Sequence, residues 1–165
     1  MKRHPRNPLH QAEGGFRVVI EKSARRLTVY DGGKVVKTYR ASFGTGNGDK
    51  VREGDCRTPE GEFYVCYKNN RSRFTLSLGL SYPNIEDAKR GMRDGLITHT
   101  QHDAIVEAIR HRRRPPWNTP LGGEIMIHGC GSDRDWTIGC IALDDDDIKE
   151  LFAALPLGSP VEIRN

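Results

Sequence analysis

Apolar positions along the chain fall in short runs and partial alternations rather than at sustained helical spacing, which predicts a domain built mainly of strands. Arg17-Val18-Val19-Ile20-Glu21 is apolar enough for a strand, and Arg26-Leu27-Thr28-Val29-Tyr30 alternates in part. Asp31-Gly32-Gly33 then marks a hairpin, with Lys34 to Arg40 as the return strand. A glycine-rich loop over 43–55 and a Thr58-Pro59-Glu60-Gly61 turn lead into an aromatic-rich strand, Glu62 to Tyr67. Phe74 to Leu80 predicts another strand and Asn84 to Arg90 a short helix. The clearest helix runs from Gln101 to about Arg113, capped by Thr100 with Asp103 three residues on and with Ile105, Ala108 and Ile109 on one face. Arg110 to Arg114 suit the negative end of its dipole, and Pro115-Pro116 stop it. Glu124-Ile125-Met126-Ile127-His128 reads as a buried strand and Trp136 to Leu143 as a second apolar run. Asp144 to Asp147 open a helix over 148–155, and Val161-Glu162-Ile163 closes as a strand. The sum is a mainly β domain over residues 16–165, sandwich- or barrel-like, with two or three short helices. Residues 1–15 read as a disordered arm.

Composition narrows the class of protein. At 165 residues the chain can bury a core without disulfide or metal staples. No run approaches the ~18–20 apolar residues of a membrane span, which excludes an integral membrane protein of the helical type. The net charge of +4 is mild; it favours approach to polyanions in general and is equally served by plain solubility. The arginine cluster after the long helix has no interleaved aromatics for base stacking, so nucleic acid is not an expected partner. A monomer is expected. The first residues are polar and carry no apolar core of a secretory signal, so the chain either starts in the cytoplasm or is trimmed.

Two segments carry candidate chemistry: Ile125-Met126-Ile127-His128-Gly129, and Thr137-Ile138-Gly139-Cys140-Ile141-Ala142-Leu143. Each places a reactive side chain beside glycine in an apolar strand. Singly, such a histidine is a structural residue and such a cysteine a small hydrophobe. Together, with a polar loop from Gly131 to Asp135 to return one segment to the other, they form a nucleophile–base pair. A free thiol with a pKa of about 8.5 is only ~3% thiolate at pH 7. A neighbouring imidazolium that lowers it to about 6 supplies ~3.4 kcal/mol. The same imidazole then protonates a leaving amine, and backbone N–H groups around Gly139 and Cys140 are candidates for an oxyanion hole.

At these residues the chain resembles the L,D-transpeptidase (YkuD-type) catalytic domain, and most closely its YafK-like branch. The shared signature is His128-Gly129, a short loop, then Thr137-Ile138-Gly139-Cys140. The likeness extends to Leu27 to Gly32, to Gly54 to Gly61 around the Thr-Pro turn, to Ser81-Tyr82-Pro83-Asn84, and to Asp147-Ile148 through Phe152, covering about Phe16 to Ile163. The resemblance implies acyl transfer on peptidoglycan stem peptides through a thioester on Cys140, with His128 as base and Gly139 beside the nucleophile. It implies resolution by an amine, which cross-links, or by water, which trims; some YafK-like members release a wall-linked lipoprotein. It implies an envelope or periplasmic location and no metal or organic cofactor. It implies that a backbone carbonyl near the Gly-Cys segment orients the histidine, although Asp133 and Asp135 remain open as partners. One departure stands out. Ala142 lies two residues after the nucleophile, where many family members carry Arg or Asn. Substrate contacts are therefore sought at Gly129, Thr137, Arg57 and Arg134, the two arginines being carboxylate binders or plain surface groups. Trp136 and Tyr82 either wall the cleft or pack in the core. Cys130 could pair with Cys140, and Cys56 with Cys66, or all remain unpaired and buried. The competing reading is a non-catalytic metal protein in which His99 and His102, as His-x-x-His, join His128, Cys130 and Cys140.

Overall fold

The computed structural model describes Leu9 and residues 15–165, so the predicted N-terminal arm lies outside the described residues apart from Leu9 and Gly15. Eight strands form one sheet: β1 (Phe16–Glu21), β2 (Arg26–Asp31), β3 (Lys34–Arg40), β4 (Gly61–Asn69), β5 (Ser77–Leu80), β6 (Met126–His128), β7 (Ile141–Ala142) and β8 (Pro160–Arg164). Three helices accompany them among the described residues: α1 (Ile85–Arg93), α2 (His99–Arg110) and α3 (Asp145–Ala154). The sheet order is β3-β2-β1-β8-β4-β5-β6-β7. The predicted mainly β class is the observed one.

The β1–β2–β3 meander forms as its alternation and Asp-Gly-Gly turn predict, with a register shift between Val29 and Tyr30. β8 lies parallel to β1 and antiparallel to β4, so this late segment occupies the middle of the sheet. The sheet curls until its ends meet. Just beyond β3, Ser42 donates its N–H to the Ala142 carbonyl at 3.0 Å and accepts from the Ala142 N–H at 2.9 Å. Closure of this kind leaves β7 without an open edge.

The main core lies inside the curl, where Val18, Ile20, Leu27, Val29, Leu78, Ile127 and Ile141 meet Ile148 and Leu151 of α3. A smaller cluster of Ala88, Ile97, Ile105 and Leu121 packs under α1 and α2. Among the described residues no helix is long and apolar enough to cross a membrane.

Three predicted elements differ in extent. α2 starts earlier than expected because Thr98, not Thr100, caps it: the Thr98 hydroxyl accepts from the Gln101 N–H at 3.1 Å while the Gln101 side chain accepts from the Thr98 N–H at 3.0 Å. That reciprocal pair satisfies two of the helix's orphan donors at once. The apolar run 136–143 yields only the two-residue β7, since Gly139 at φ 142° breaks the extended path. The run from Phe74 is regular only from Ser77 to Leu80.

Candidate active site

β6 and β7 run parallel, with Ile127 opposite Ile141 and His128 opposite Ala142. Ile127 and Ile141 both point into the core. Side chains alternate along a strand, so His128 projects from the other side of the pair. Extending the register back one position sets Cys140 across from Met126, on the same side as His128. The thiol is held there by the backbone of the adjacent segment: the Met126 N–H donates to Sγ at 3.4 Å, and Sγ donates to the Glu124 carbonyl at 3.4 Å. Glu124 itself sits at φ 55°, which turns that carbonyl toward the sulfur.

His128 is 3% exposed. Its ring stacks on Phe74, with centroids 4.5 Å apart, and Trp136 lies tilted against it at 5.5 Å. Nδ1 is 2.8 Å from the Gly129 carbonyl. A carbonyl only accepts, so Nδ1 carries the proton and Nε2 of the neutral ring keeps its lone pair. The orienting carbonyl is thus that of Gly129, not one near the Gly-Cys segment. The aspartates left open as partners do other work. Asp135 Oδ1 accepts from the Phe43 N–H at 2.9 Å and pairs with Arg25 at 3.0 Å. The Asp133 backbone carbonyl accepts from Arg40 at 3.0 Å.

Burial pushes the His128 pKa below its ordinary 6.5, partly offset by the Gly129 carbonyl. Burial pushes the Cys140 thiol above its ordinary 9.0, partly offset by the Met126 N–H. Both shifts favour the uncharged forms. Neither shift runs in the direction that a thiolate–imidazolium pair needs. The histidine shift also sets a stability limb. The folded state resists protonation that the unfolded chain accepts, so stability is lost as pH falls below about 6.5.

Thr137 and Gly139 shape the nucleophile turn. The Thr137 hydroxyl donates to the Cys140 carbonyl at 2.7 Å and accepts from the Gly139 N–H at 3.2 Å. Thr137 is buried and its hydroxyl is spent on this turn. The Gly139 N–H is likewise engaged. Gly139 is required twice over, by φ 142° and because a Cβ would fall 2.9 Å from the Arg57 carbonyl. The Thr58 hydroxyl locks that contact, donating to the Gly139 carbonyl at 2.9 Å. The Thr-Pro turn of the sequence thus lies against the Gly139–Cys140 segment.

Gly129 does not present a free N–H, contrary to expectation, because that group donates to the Phe74 carbonyl at 2.8 Å. A Cβ at Gly129 would lie 2.6 Å from Asp145 Oδ1 and 2.8 Å from the Phe74 carbonyl. Gly129→Ala is expected to lower stability by about 1–3 kcal/mol through overpacking, read as a lower denaturant midpoint at unchanged slope. The aspartate run that opens α3 ties down the same loop. Asp145 Oδ1 accepts from the Cys130 N–H at 2.9 Å and from Thr75 at 2.7 Å, and Asp144 Oδ1 accepts from the Ser132 N–H and hydroxyl.

The other candidates divide. Trp136 is half-buried beside His128 and donates Nε1–H to the Gly131 carbonyl at 3.0 Å, so it forms a wall of the site. Tyr82 is fully buried and its hydroxyl donates to the Leu121 carbonyl at 2.7 Å, which assigns it to the core and removes it from the substrate surface. Arg57 is half-buried with its backbone against Gly139. Arg134 is exposed on the 131–135 loop with no side-chain bond among the described residues. Ala142 stands directly across from His128 and is fully buried. All four cysteines are free. Cys130 is exposed rather than buried, and burial raises the Cys66 thiol to about 11.

Phe74, the Met126 N–H and the Glu124 carbonyl were not legible as site groups. The last two are backbone atoms, and Phe74 lies far from both motifs in sequence. A groove of about 1460 Å³, lined by Phe16, Arg17, Tyr30, Lys149 and Pro156 among others, holds neither His128 nor Cys140.

Similarity to known proteins agrees with this architecture. No curated protein matches the chain. A point variant of the helical cell shape determining protein Pgp2 from Campylobacter jejuni superposes with a TM-score of 0.64 at 24% identity, over 92% of this chain and 47% of that one. Bd1075 from Bdellovibrio bacteriovorus gives 0.58 at 20% identity, over 95% and 51%. The L,D-transpeptidase from Xylanimonas cellulosilytica gives 0.54 at 20% identity, over 99% and 65%. The chain thus spans about half the length of the first two, and the likeness is one of fold. The family of L,D-transpeptidase catalytic domains, YkuD, matches residues 15–163, nearly the whole chain, and the protein belongs to that family.

Proposed function

We propose that the protein is a cysteine-dependent acyl transferase acting on peptidoglycan stem peptides in the cell envelope. The observation that supports this reading is the β6–β7 register, which by alternation puts Cys140 on the same side of two adjacent strands as His128, whose Nδ1 is pinned by the Gly129 carbonyl. In the first step Nε2 takes the Sγ proton as sulfur attacks the carbonyl following an L-configured diamino-acid centre. The oxyanion gathers charge against the Cys140 N–H. Collapse breaks the peptide bond, His128 returns the proton to the departing amine, and a thioester remains on Cys140. An amine from a second stem, or water, then gives up a proton to His128 and displaces sulfur. No step requires a metal or organic cofactor.

We place the chain in the YafK-like branch on Ser81-Tyr82-Pro83-Asn84 and on Ala142 after the nucleophile. With Ala142 replacing a cationic or amide side chain, Arg57 is the nearest-placed candidate for the substrate carboxylate, since its backbone abuts Gly139. Transpeptidation and carboxypeptidase trimming differ in what resolves the thioester, an amine or water, whereas lipoprotein release differs in the amine expelled as the thioester forms. Incubation with defined tetrapeptide muropeptides, with and without an acceptor stem, and product identification by mass is the test. A cross-linked dimer assigns transpeptidation, and a tripeptide alone assigns trimming. Recovery of unchanged muropeptides, together with no release of a wall-linked lipoprotein, would refute the reading.

A further inference from the structure

The His-x-x-His motif at 99–102 serves neither the core nor the acyl-transfer site. It opens α2, where residues three and four apart share a face. His99, His102 and Asp103 converge there, each offering a ligand atom within 4.8 Å of the others. His102 Nδ1 is 2.9 Å from Asp103 Oδ1, and His99 Nδ1 is 3.6 Å from the same oxygen. A tetrahedral ion with bonds of ~2.0–2.1 Å separates its ligand atoms by ~3.4 Å, between those two spacings. The His102 side chain is largely covered, at 16% exposed, whereas His99 and Asp103 are open at 80% and 67%. One ligand is thus anchored, two can adjust, and the outer side is free for water. The hydrogen bond from His102 and the proximity of His99 hold the Asp103 carboxyl below its usual range, so it is ionised at neutral pH. The expected alternative shell is not formed, because among the described residues His128, Cys130 and Cys140 do not gather with these histidines.

We propose that His99, His102 and Asp103 form a surface site for a divalent transition-metal ion of the zinc class, bound through both Nδ1 atoms and one carboxylate oxygen, with water completing the shell. Where the His102 ring presents Nδ1–H to Asp103, binding the ion at Nδ1 moves that proton to Nε2, so the imidazole stays neutral and no net proton is lost. Two imidazoles and a carboxylate suit zinc, copper and nickel rather than magnesium or calcium. The positive end of α2 opposes a cation, and the ionised Asp103 offsets it. The site is independent of Cys140 and clamps the first turn of α2, which packs with α1 over the smaller core cluster.

The test is a Co²⁺ titration followed by visible absorption, with Zn²⁺ competition, on the full chain carrying no polyhistidine tag. One equivalent is expected to bind with ligand-field bands and without thiolate-to-metal charge transfer, equally in the Cys140→Ala protein. His102→Ala, His99→Ala and Asp103→Asn should each weaken binding by at least about 10–100-fold, the range already seen when only a ligand's supporting partner is lost. His111→Ala should leave it unchanged. The Thr98–Gln101 capping box is untouched by these exchanges, so α2 is retained, which circular dichroism checks. Absence of a bound equivalent, or binding that survives His102→Ala and shows charge transfer from sulfur, would overturn the proposal.

Discussion

Cys140→Ala is expected to abolish release of the terminal residue from a tetrapeptide stem, lowering turnover by about 10⁴-fold or more, as removal of a nucleophile does elsewhere. The same protein should lose the mass adduct that wild type forms with a carbapenem, which resembles the acyl donor. The exchange removes only Sγ and its two bonds, to the Met126 N–H and the Glu124 carbonyl. The turn that carries it is held independently by Thr137 and Thr58. Loss of activity at an unchanged unfolding midpoint therefore isolates chemistry from folding. Wild-type turnover by the alanine variant would remove the nucleophile assignment.

His128→Gln is expected to cost about 10²–10⁴-fold at pH 7, the usual contribution of a positioned general base. The pH profile distinguishes this from a packing defect. In the wild type the acid limb follows protonation of Nε2 and falls below pH 6.5, because burial lowers that pKa. Between that limb and the alkaline range the rate is flat. Without the imidazole, attack depends on spontaneous thiolate. The Cys140 pKa lies above 9.0, so at pH 7 the thiolate fraction is under ~1%. Activity of the variant should rise with pH, about tenfold per unit, until it passes that pKa. A variant profile with the wild-type acid limb would show that another group supplies the base.

How much of this was readable in advance depends on where each interaction lies. His128, Cys140 and Gly139 were legible because reactive side chains beside glycine in apolar strands are chemically odd. The meander was legible from alternation and its Asp-Gly-Gly turn. The direction of the His128 pKa shift was not, because it comes from burial, with Phe74 and Trp136 brought against the ring from elsewhere in the chain. Thr100, with Asp103 three residues on, read as the cap, but it is Gln101, three residues after Thr98, that completes the reciprocal pair. Tyr82 and Thr137 looked available for substrate, yet their hydroxyls are consumed by backbone carbonyls. The aspartate run read only as the opening of a helix, and two of its members also anchor the loop after His128.

The central place of β8 carries a cost in time. Val18 to Glu21 must wait for Val161 to Arg164 before their parallel ladder exists, and Gly61 to Tyr64 wait for the same segment. During synthesis the growing chain holds two half-sheets with facing unpaired backbone, and no partial product can zip them shut. Contacts this distant along the chain slow the search for the native state. Removing a handful of residues around Ile163 should accordingly leave not a trimmed enzyme but two halves prone to join with copies of themselves.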